Sequence, residues 1–272
     1  MSLSHWSPKL PHMNQENKKA QRRGIYFLPN MLTSIALCSG FFAIIAATQG
    51  KFEWAAYAIF FSMFMDGIDG RVARLTNTQS DFGAQYDSLA DMVSFGIAPA
   101  LIIFEFALSD MGKIGWVAAF VYTAFAALRL ARFNTQVGIA DKRYFQGLAS
   151  PSAAAIVTGY VWVSDVYLPH HTSVNVIAVL LTIAAGVLMF SNIRYHSFKG
   201  FDFRSRVPFM TAIAIVTAIA VIFIDPPIIL FSIFMLYTIS GPVLTLNEIR
   251  KRRAERRRHG KQTEQTTDDT KN

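Results

Sequence analysis

The chain has 272 residues, 52% of them hydrophobic and 16% charged, with a formal net charge of +8. That charged fraction is well below the roughly 25% of an average soluble domain, and the apolar residues come in blocks, which excludes an ordinary soluble core. A single cysteine, Cys38, excludes an intrachain disulfide and a thiolate metal cluster.

Residues 1–27 are polar and hold Lys18, Lys19, Arg22 and Arg23 without an apolar stretch ahead of a small-residue cleavage site. They read as a cytoplasmic arm. A bilayer-crossing helix needs about 20 predominantly apolar residues. Eight such spans are expected, near 28–48, 52–73, 84–107, 114–134, 151–167, 172–192, 206–224 and 226–246. Turn chemistry separates them at Gly50, at Asp110 to Gly112, at Pro169 and at Asp225-Pro226-Pro227. From Asn247 the chain is polar and reads as a basic cytoplasmic tail, residues 247–272. The expected fold class is therefore all-α: one transmembrane helix bundle over residues 28–246, with about eight spans.

Orientation follows from the cytoplasmic bias of Lys and Arg. With the N-terminus inside, 24 of the 26 basic residues fall on the inner side, and only Lys51 and Lys113 fall outside. Both termini are thus expected in the cytoplasm of a multi-pass protein of the cell (inner) membrane. The positive charge then anchors topology, and no nucleic-acid partner is expected. His170 and His171 are adjacent, so they do not share a helix face as i, i+4 ligands do, and they read as loop residues.

The one concentration of chemistry lies at the inner ends of the second and third spans. Asp66 and Asp69 are three residues apart, and Asp87 and Asp91 four apart, so each pair occupies one helix face. Consecutive antiparallel helices bring both pairs to the same depth. Carboxylates inside a span cost roughly 2.5–3.5 kcal/mol each on insertion scales, and like charges in one cleft repel. A divalent cation resolves both difficulties, and hard oxygen ligands favour Mg²⁺, Mn²⁺ or Ca²⁺. Gly67, Gly70 and Gly83 expose backbone to a bulky ligand, Ala73 extends the open strip, and Arg74 can clamp a phosphate oxygen. Two other readings compete. Intramembrane acids mark ion pathways in transporters, and small residues mark helix contacts. A transporter would place acids near mid-bilayer within pseudo-symmetric halves, whereas these acids sit at one surface and no repeat is visible.

The run Asp66-x2-Asp69-Gly70-x2-Ala73-Arg74-x8-Gly83-x3-Asp87-x3-Asp91 resembles the signature of the CDP-alcohol phosphatidyltransferases at every fixed position. Further resemblance lies in Leu28-Pro29-Asn30-Met31-Leu32-Thr33, in Ser94 to Ala100, in Leu128 to Asn134 and in Phe145 to Pro151. Together these runs are similar to the membrane-embedded phosphatidylserine synthases of that family. Ala149 departs from the proline found in many relatives.

The resemblance implies metal-dependent transfer of a phosphatidyl group from CDP-diacylglycerol to L-serine, with CMP leaving, by an enzyme that is a homodimer in the bilayer. It implies Asp66, Asp69 and Asp87 as principal ligands of Mg²⁺ or Mn²⁺. It implies Asp91 as general base and as ligand of a second ion. Gly70 and Arg74 would meet the CDP moiety, and Ala73 and Gly83 would make room for it. Asn30, Thr33 and Ser80 are further candidates for nucleotide or phosphate contact. Arg129 and Arg132, three apart at the inner end of the fourth span, are candidates for the serine carboxylate or the lipid phosphate, and Arg194 and Lys199 compete with them. The nearest rival acceptors are glycerol 3-phosphate, inositol and inositol phosphate. A phosphorylated acceptor calls for an added basic cluster, whereas Asp91 is followed by the small, apolar Met92 to Ala98.

Overall fold

The computed structural model describes residues 13–76, 78–135, 144–168, 171–196 and 209–269. Among the described residues the structure is helical apart from one short β ribbon. Eight helical rods follow in order: α1 (Met13–Thr48), α2 (Phe52–Leu75), α3 (Asp81–Met111), α4 (Lys113–Thr135), α5 (Ser150–Tyr167), α6 (Thr172–Phe190), α7 (Phe209–Ile224) and α8 (Pro226–Asp269). Strands β1 (Tyr144–Gln146) and β2 (Arg194–His196) pair antiparallel, with Phe145 opposite Tyr195.

Each rod overlaps one of the eight stretches expected as spans, but only some have the length and apolarity of a span. Five are long and apolar enough to cross a membrane: Leu28–Thr48, Asp81–Met111, Lys113–Thr135, Thr172–Phe190 and Pro226–Leu246. The protein is a helical, multi-pass membrane protein. Of the remaining three rods, α2 carries Asp66, Asp69, Arg71 and Arg74 in its C-terminal half, and α7 is 16 residues long. The third, α5, is the most enclosed helix, with 13 of its 18 residues buried, among them Trp162, Thr158 and Ser164.

In lipid, helices gain little from burying apolar surface, so close packing through small side chains holds them together. The α1–α2 seam is of that kind, with Ala43, Ala46 and Ala47 buried alongside Ala55 and Ala58. Gly40 of α1 lies so near Ser94 that a Cβ would overlap it, and Gly115 of α4 packs equally tightly on the Leu108 carbonyl. Large apolar side chains such as Phe41, Trp54, Phe64 and Leu180 point outward, where a bilayer would meet them.

Polar side chains lock the three helices that carry the acidic motif. The Ala36 carbonyl of α1 accepts from Ser62 Oγ of α2 at 2.8 Å and from Ser94 Oγ of α3 at 3.2 Å. Ser39 Oγ donates to the Ala58 carbonyl at 2.7 Å. Each bond adds a side-chain donor to a helix carbonyl, so the crossing is fixed without breaking either helix.

α3 is not uniform. It is α-helical over Asp81–Asp91, widens into a π turn at Met92–Ile97, and widens again at Phe104–Leu108. The first widening starts immediately after Asp91. A π turn inserts an extra residue, so the face presented beyond it is rotated relative to the face carrying Asp87 and Asp91. The sequence alone predicts a plain helix here.

Candidate active site

Four aspartates meet where the C-terminal half of α2 and the first three turns of α3 converge beside α1. Carboxylate oxygens of Asp66, Asp69 and Asp87 lie within 4.8 Å of one another. Asp91 stands outside this trio, close enough to Asp66 and Asp87 for their charges to act on it. The two i, i+3 and i, i+4 faces therefore do converge, and they divide into three plus one.

Oxygens about 2.0–2.6 Å from a common hard cation spread over the separation seen in the trio. With no Cys or His among these ligands, the set fits a divalent cation of the Mg²⁺ or Mn²⁺ kind. Thr33 supports it from α1: its hydroxyl lies 2.7 Å from Asp69 Oδ2 and 3.1 Å from the Pro29 carbonyl. Asp69 and Thr33 are both buried, so this bond orients the carboxylate in a dry environment.

The glycines shape an opening beside the acids. A Cβ at Gly67 would meet nothing within 4 Å, and one at Gly70 would meet only Arg74 Nη1, at 3.9 Å. Gly83 differs: its Cβ would fall 3.1 Å from Ser80 Oγ and 3.3 Å from Asn30 Oδ1. Asn30, Ser80 and Gly83 are thus neighbours across the α1–α3 contact. Ser80 is the N-cap of α3 and accepts from the Gly83 N–H at 3.0 Å, so its hydroxyl already has a local structural task. Ala73 is half-buried and Arg74 exposed on the last turn of α2.

The basic candidates separate. Arg129 Nη1 donates to Ser150 Oγ, the first residue of α5, at 2.6 Å, and its charge faces Asp91 and Asp66. Its Nε is buried without a hydrogen-bond partner among the described residues. Arg132 points elsewhere. Its Nη1 donates to the Phe190 carbonyl at 3.3 Å, its Nη2 to Asn192 Oδ1 at 2.6 Å, and its guanidinium lies 5.8 Å from the Phe190 ring centroid. It closes the C-terminus of α6, where a cation complements the free carbonyls. Arg194 contributes backbone to β2, and its side chain, like the whole of Lys199, lies outside the described residues.

Several site neighbours were not singled out in the sequence. Ser150 begins α5 within the Phe145–Pro151 run and could be read only as a helix start. Ser88 Oγ donates to Asn134 Oδ1 at 3.1 Å, tying α3 to α4 one turn from Asp91. The Ser34 and Tyr86 hydroxyls are 2.8 Å apart and tie α1 to α3. Ala149 has φ −62° and ψ 138°, a conformation that proline adopts without strain, so its departure leaves the backbone path unchanged.

The fold and these acids define a membrane-embedded helical protein with a tricarboxylate centre and a fourth acid beside it. The family model described as CDP-alcohol phosphatidyltransferase matches residues 26–191, and the chain belongs to that family. Among its relatives is a CDP-diacylglycerol–serine O-phosphatidyltransferase of Helicobacter pylori, 36% identical over 80% of this chain and 90% of the relative. The protein of that name in Methanocaldococcus jannaschii is 34% identical over 65% of this chain and 77% of its own. An archaetidylserine synthase of Methanothermobacter thermautotrophicus is 34% identical, covering 64% of this chain and 71% of the relative. The solved Mycobacterium tuberculosis phosphatidylinositol phosphate synthase with CDP-DAG bound is 20% identical, covering 63% of this chain and 88% of that one at a TM-score of 0.46, a distance at which no detail of the site is transferred.

Proposed function

We propose that this protein transfers the phosphatidyl group of CDP-diacylglycerol to L-serine, giving phosphatidylserine and CMP. The observation that carries the reading is the division of the acids: Asp66, Asp69 and Asp87 gathered within 4.8 Å, with Asp91 beside them and outside the group. The serine synthases among the relatives support the acceptor, as does the small, apolar sequence after Asp91.

The trio would hold Mg²⁺ or Mn²⁺. Bound there, the metal supplies Lewis-acid neutralisation of the diphosphate and of the departing CMP. The chain's own residues account for the rest. Thr33 holds Asp69 in orientation. The open strip at Gly67, Gly70 and Ala73 admits the nucleotide diphosphate, with Arg74 at its rim as phosphate clamp. Asn30, Ser80 and Gly83 form the neighbouring wall. Asp91 takes the proton of the serine hydroxyl as that oxygen attacks the β-phosphorus of CDP-diacylglycerol. A carboxylate base one helical turn from a ligand is well placed for this. Direct displacement inverts configuration at phosphorus; retention would require a covalent phosphatidyl-enzyme.

Serine brings a carboxylate that needs a cation. Arg129 serves best, because it faces Asp91 and keeps an Nε–H that the fold leaves unused. Arg132 is committed to the end of α6, and Arg194 and Lys199 remain secondary candidates for the lipid phosphate.

The reading includes eight spans with arm 1–27 and tail 247–272 in the cytoplasm. The charge bias supports this, and so does the position of α5 at the centre of the bundle. It places the active site at the cytoplasmic face of the cell membrane and, with the family resemblance, makes the enzyme a homodimer. Purified protein given CDP-diacylglycerol, Mg²⁺ or Mn²⁺, and serine, glycerol 3-phosphate, inositol or inositol phosphate in turn tests it. Serine-dependent CMP release is the expected result; CMP release driven by another alcohol and not by serine overturns the acceptor.

A further inference from the structure

The family match ends at residue 191, yet α8, which begins at Pro226, packs against the β ribbon that leads into α5. The side chain it meets there is Tyr195 of β2, which has no exposed surface. The Tyr195 ring packs on Tyr237 with centroids 5.5 Å apart, and its hydroxyl donates to the Thr238 carbonyl at 3.2 Å. One turn on, a Cβ at Gly241 would overlap the Tyr195 ring, so this glycine is what lets α8 close over it.

A route through the ribbon connects that cluster to Arg129. Along the backbone, Tyr195 pairs with Phe145 in the ribbon. Gly147, at φ +80°, turns the chain out of β1, and its N–H bonds the Ile193 carbonyl at 2.9 Å. Leu148 N–H bonds the Leu188 carbonyl at 2.9 Å, and two residues later Ser150 receives Arg129 Nη1.

We propose that α8 braces the acceptor pocket, with Tyr237 acting through Tyr195 and the β ribbon as a positioning residue for Ser150 and for the Arg129 side chain it holds. This rests on Arg129 as the residue that receives the acceptor. A helix outside the family-matched segment would then tune which alcohol is used, while the aspartates and the CDP-binding strip stay unchanged. Tyr237 acts through Arg129 and touches no reacting atom.

The test is a steady-state comparison of full-length wild type with Tyr237→Leu, Tyr237→Phe and Gly241→Ala, each checked for wild-type CDP-diacylglycerol and Mn²⁺ binding. The expected result for Tyr237→Leu is a serine KM at least tenfold higher with the CDP-diacylglycerol KM within twofold. Tyr237→Phe, which keeps the ring, stays within threefold of wild type. Gly241→Ala, which pushes Tyr195 off α8, shows the same split and serves where Tyr237→Leu does not fold. A serine KM within twofold of wild type in Tyr237→Leu and Gly241→Ala overturns the proposal. So do both KM values rising together with a lowered Tm, since that marks a packing role. A wild type that ignores serine fails the acceptor assignment alone; the same split is then read with whichever alcohol releases CMP.

Discussion

The Thr33 hydroxyl lies 2.7 Å from Asp69 Oδ2, joining the first helix to the acidic motif of the second. Both residues are buried, so the bond is made away from competing water. A hydrogen bond to a charged group is worth about 1.5–3 kcal/mol, and outer partners of metal ligands carry about 10–100-fold in metal affinity or activity. Thr33→Val keeps the shape and removes the donor. Its Mn²⁺ dissociation constant should rise by roughly tenfold or more, with Thr33→Ser close to wild type. Titration calorimetry of both variants in detergent or nanodiscs reads this directly; equal affinities in all three proteins would remove Thr33 from the site.

The trio makes a second prediction. Chelation should abolish CMP release, and added Mg²⁺ or Mn²⁺ should restore it. Asp66→Asn, Asp69→Asn and Asp87→Asn should each lose Mn²⁺ binding, because three ligands do not leave one to spare. A variant of the trio that binds Mn²⁺ as wild type does would show that its carboxylate is not a ligand.

Gly70 allows a test in which stability and function move in opposite directions. Its Cβ position is open, so Gly70→Ala meets no steric obstacle in the free protein. Alanine in a helix is favoured over glycine by about 1 kcal/mol. The variant should melt at or above the wild-type temperature, yet show a several-fold higher CDP-diacylglycerol KM. A higher Tm with unchanged KM would mean that the nucleotide does not lie against this strip.

Arg129 and Arg132 should part company. Truncating a buried, hydrogen-bonded charge at a binding site costs about 2–5 kcal/mol, on the order of thirtyfold or more in affinity. Arg129→Ala should raise the serine KM on that scale. Arg132→Ala should lower the Tm, because it frees the α6 terminus at Phe190 and Asn192, and should leave the serine KM unchanged. Kinetics and thermal melts on the two variants check both halves.

The contrast between those two arginines also shows how far the sequence could be read. Spacing placed both on one face of α4 and could not rank them. Only the packing of α6 against α4 reveals that Arg132 is spent on a helix end while Arg129 turns to Ser150 and Asp91. The aspartates were legible because i, i+3 and i, i+4 spacing translates directly into shared faces. The eight rods were legible as apolar blocks, though α2, which must carry the acids, lacks the unbroken apolarity of a plain span. The π turn after Asp91 carries no local sequence mark. Tyr237 was invisible for a related reason: a tyrosine in an apolar run looks like any packed aromatic until Tyr195 is seen against it. Ser80 shows the reverse, since its capping of α3 is itself a sequence-readable role.

The account stands most directly on the separation of Asp91 from the trio. The decisive measurement is Asp91→Asn, assayed in one preparation for Mn²⁺ binding, CDP-diacylglycerol binding and serine-dependent CMP release. A general base contributes about 10²–10⁴-fold. The account predicts a loss of turnover on that scale with both dissociation constants within threefold of wild type. Loss of Mn²⁺ binding together with turnover would contradict it, and would return Asp91 to the metal site as a fourth ligand.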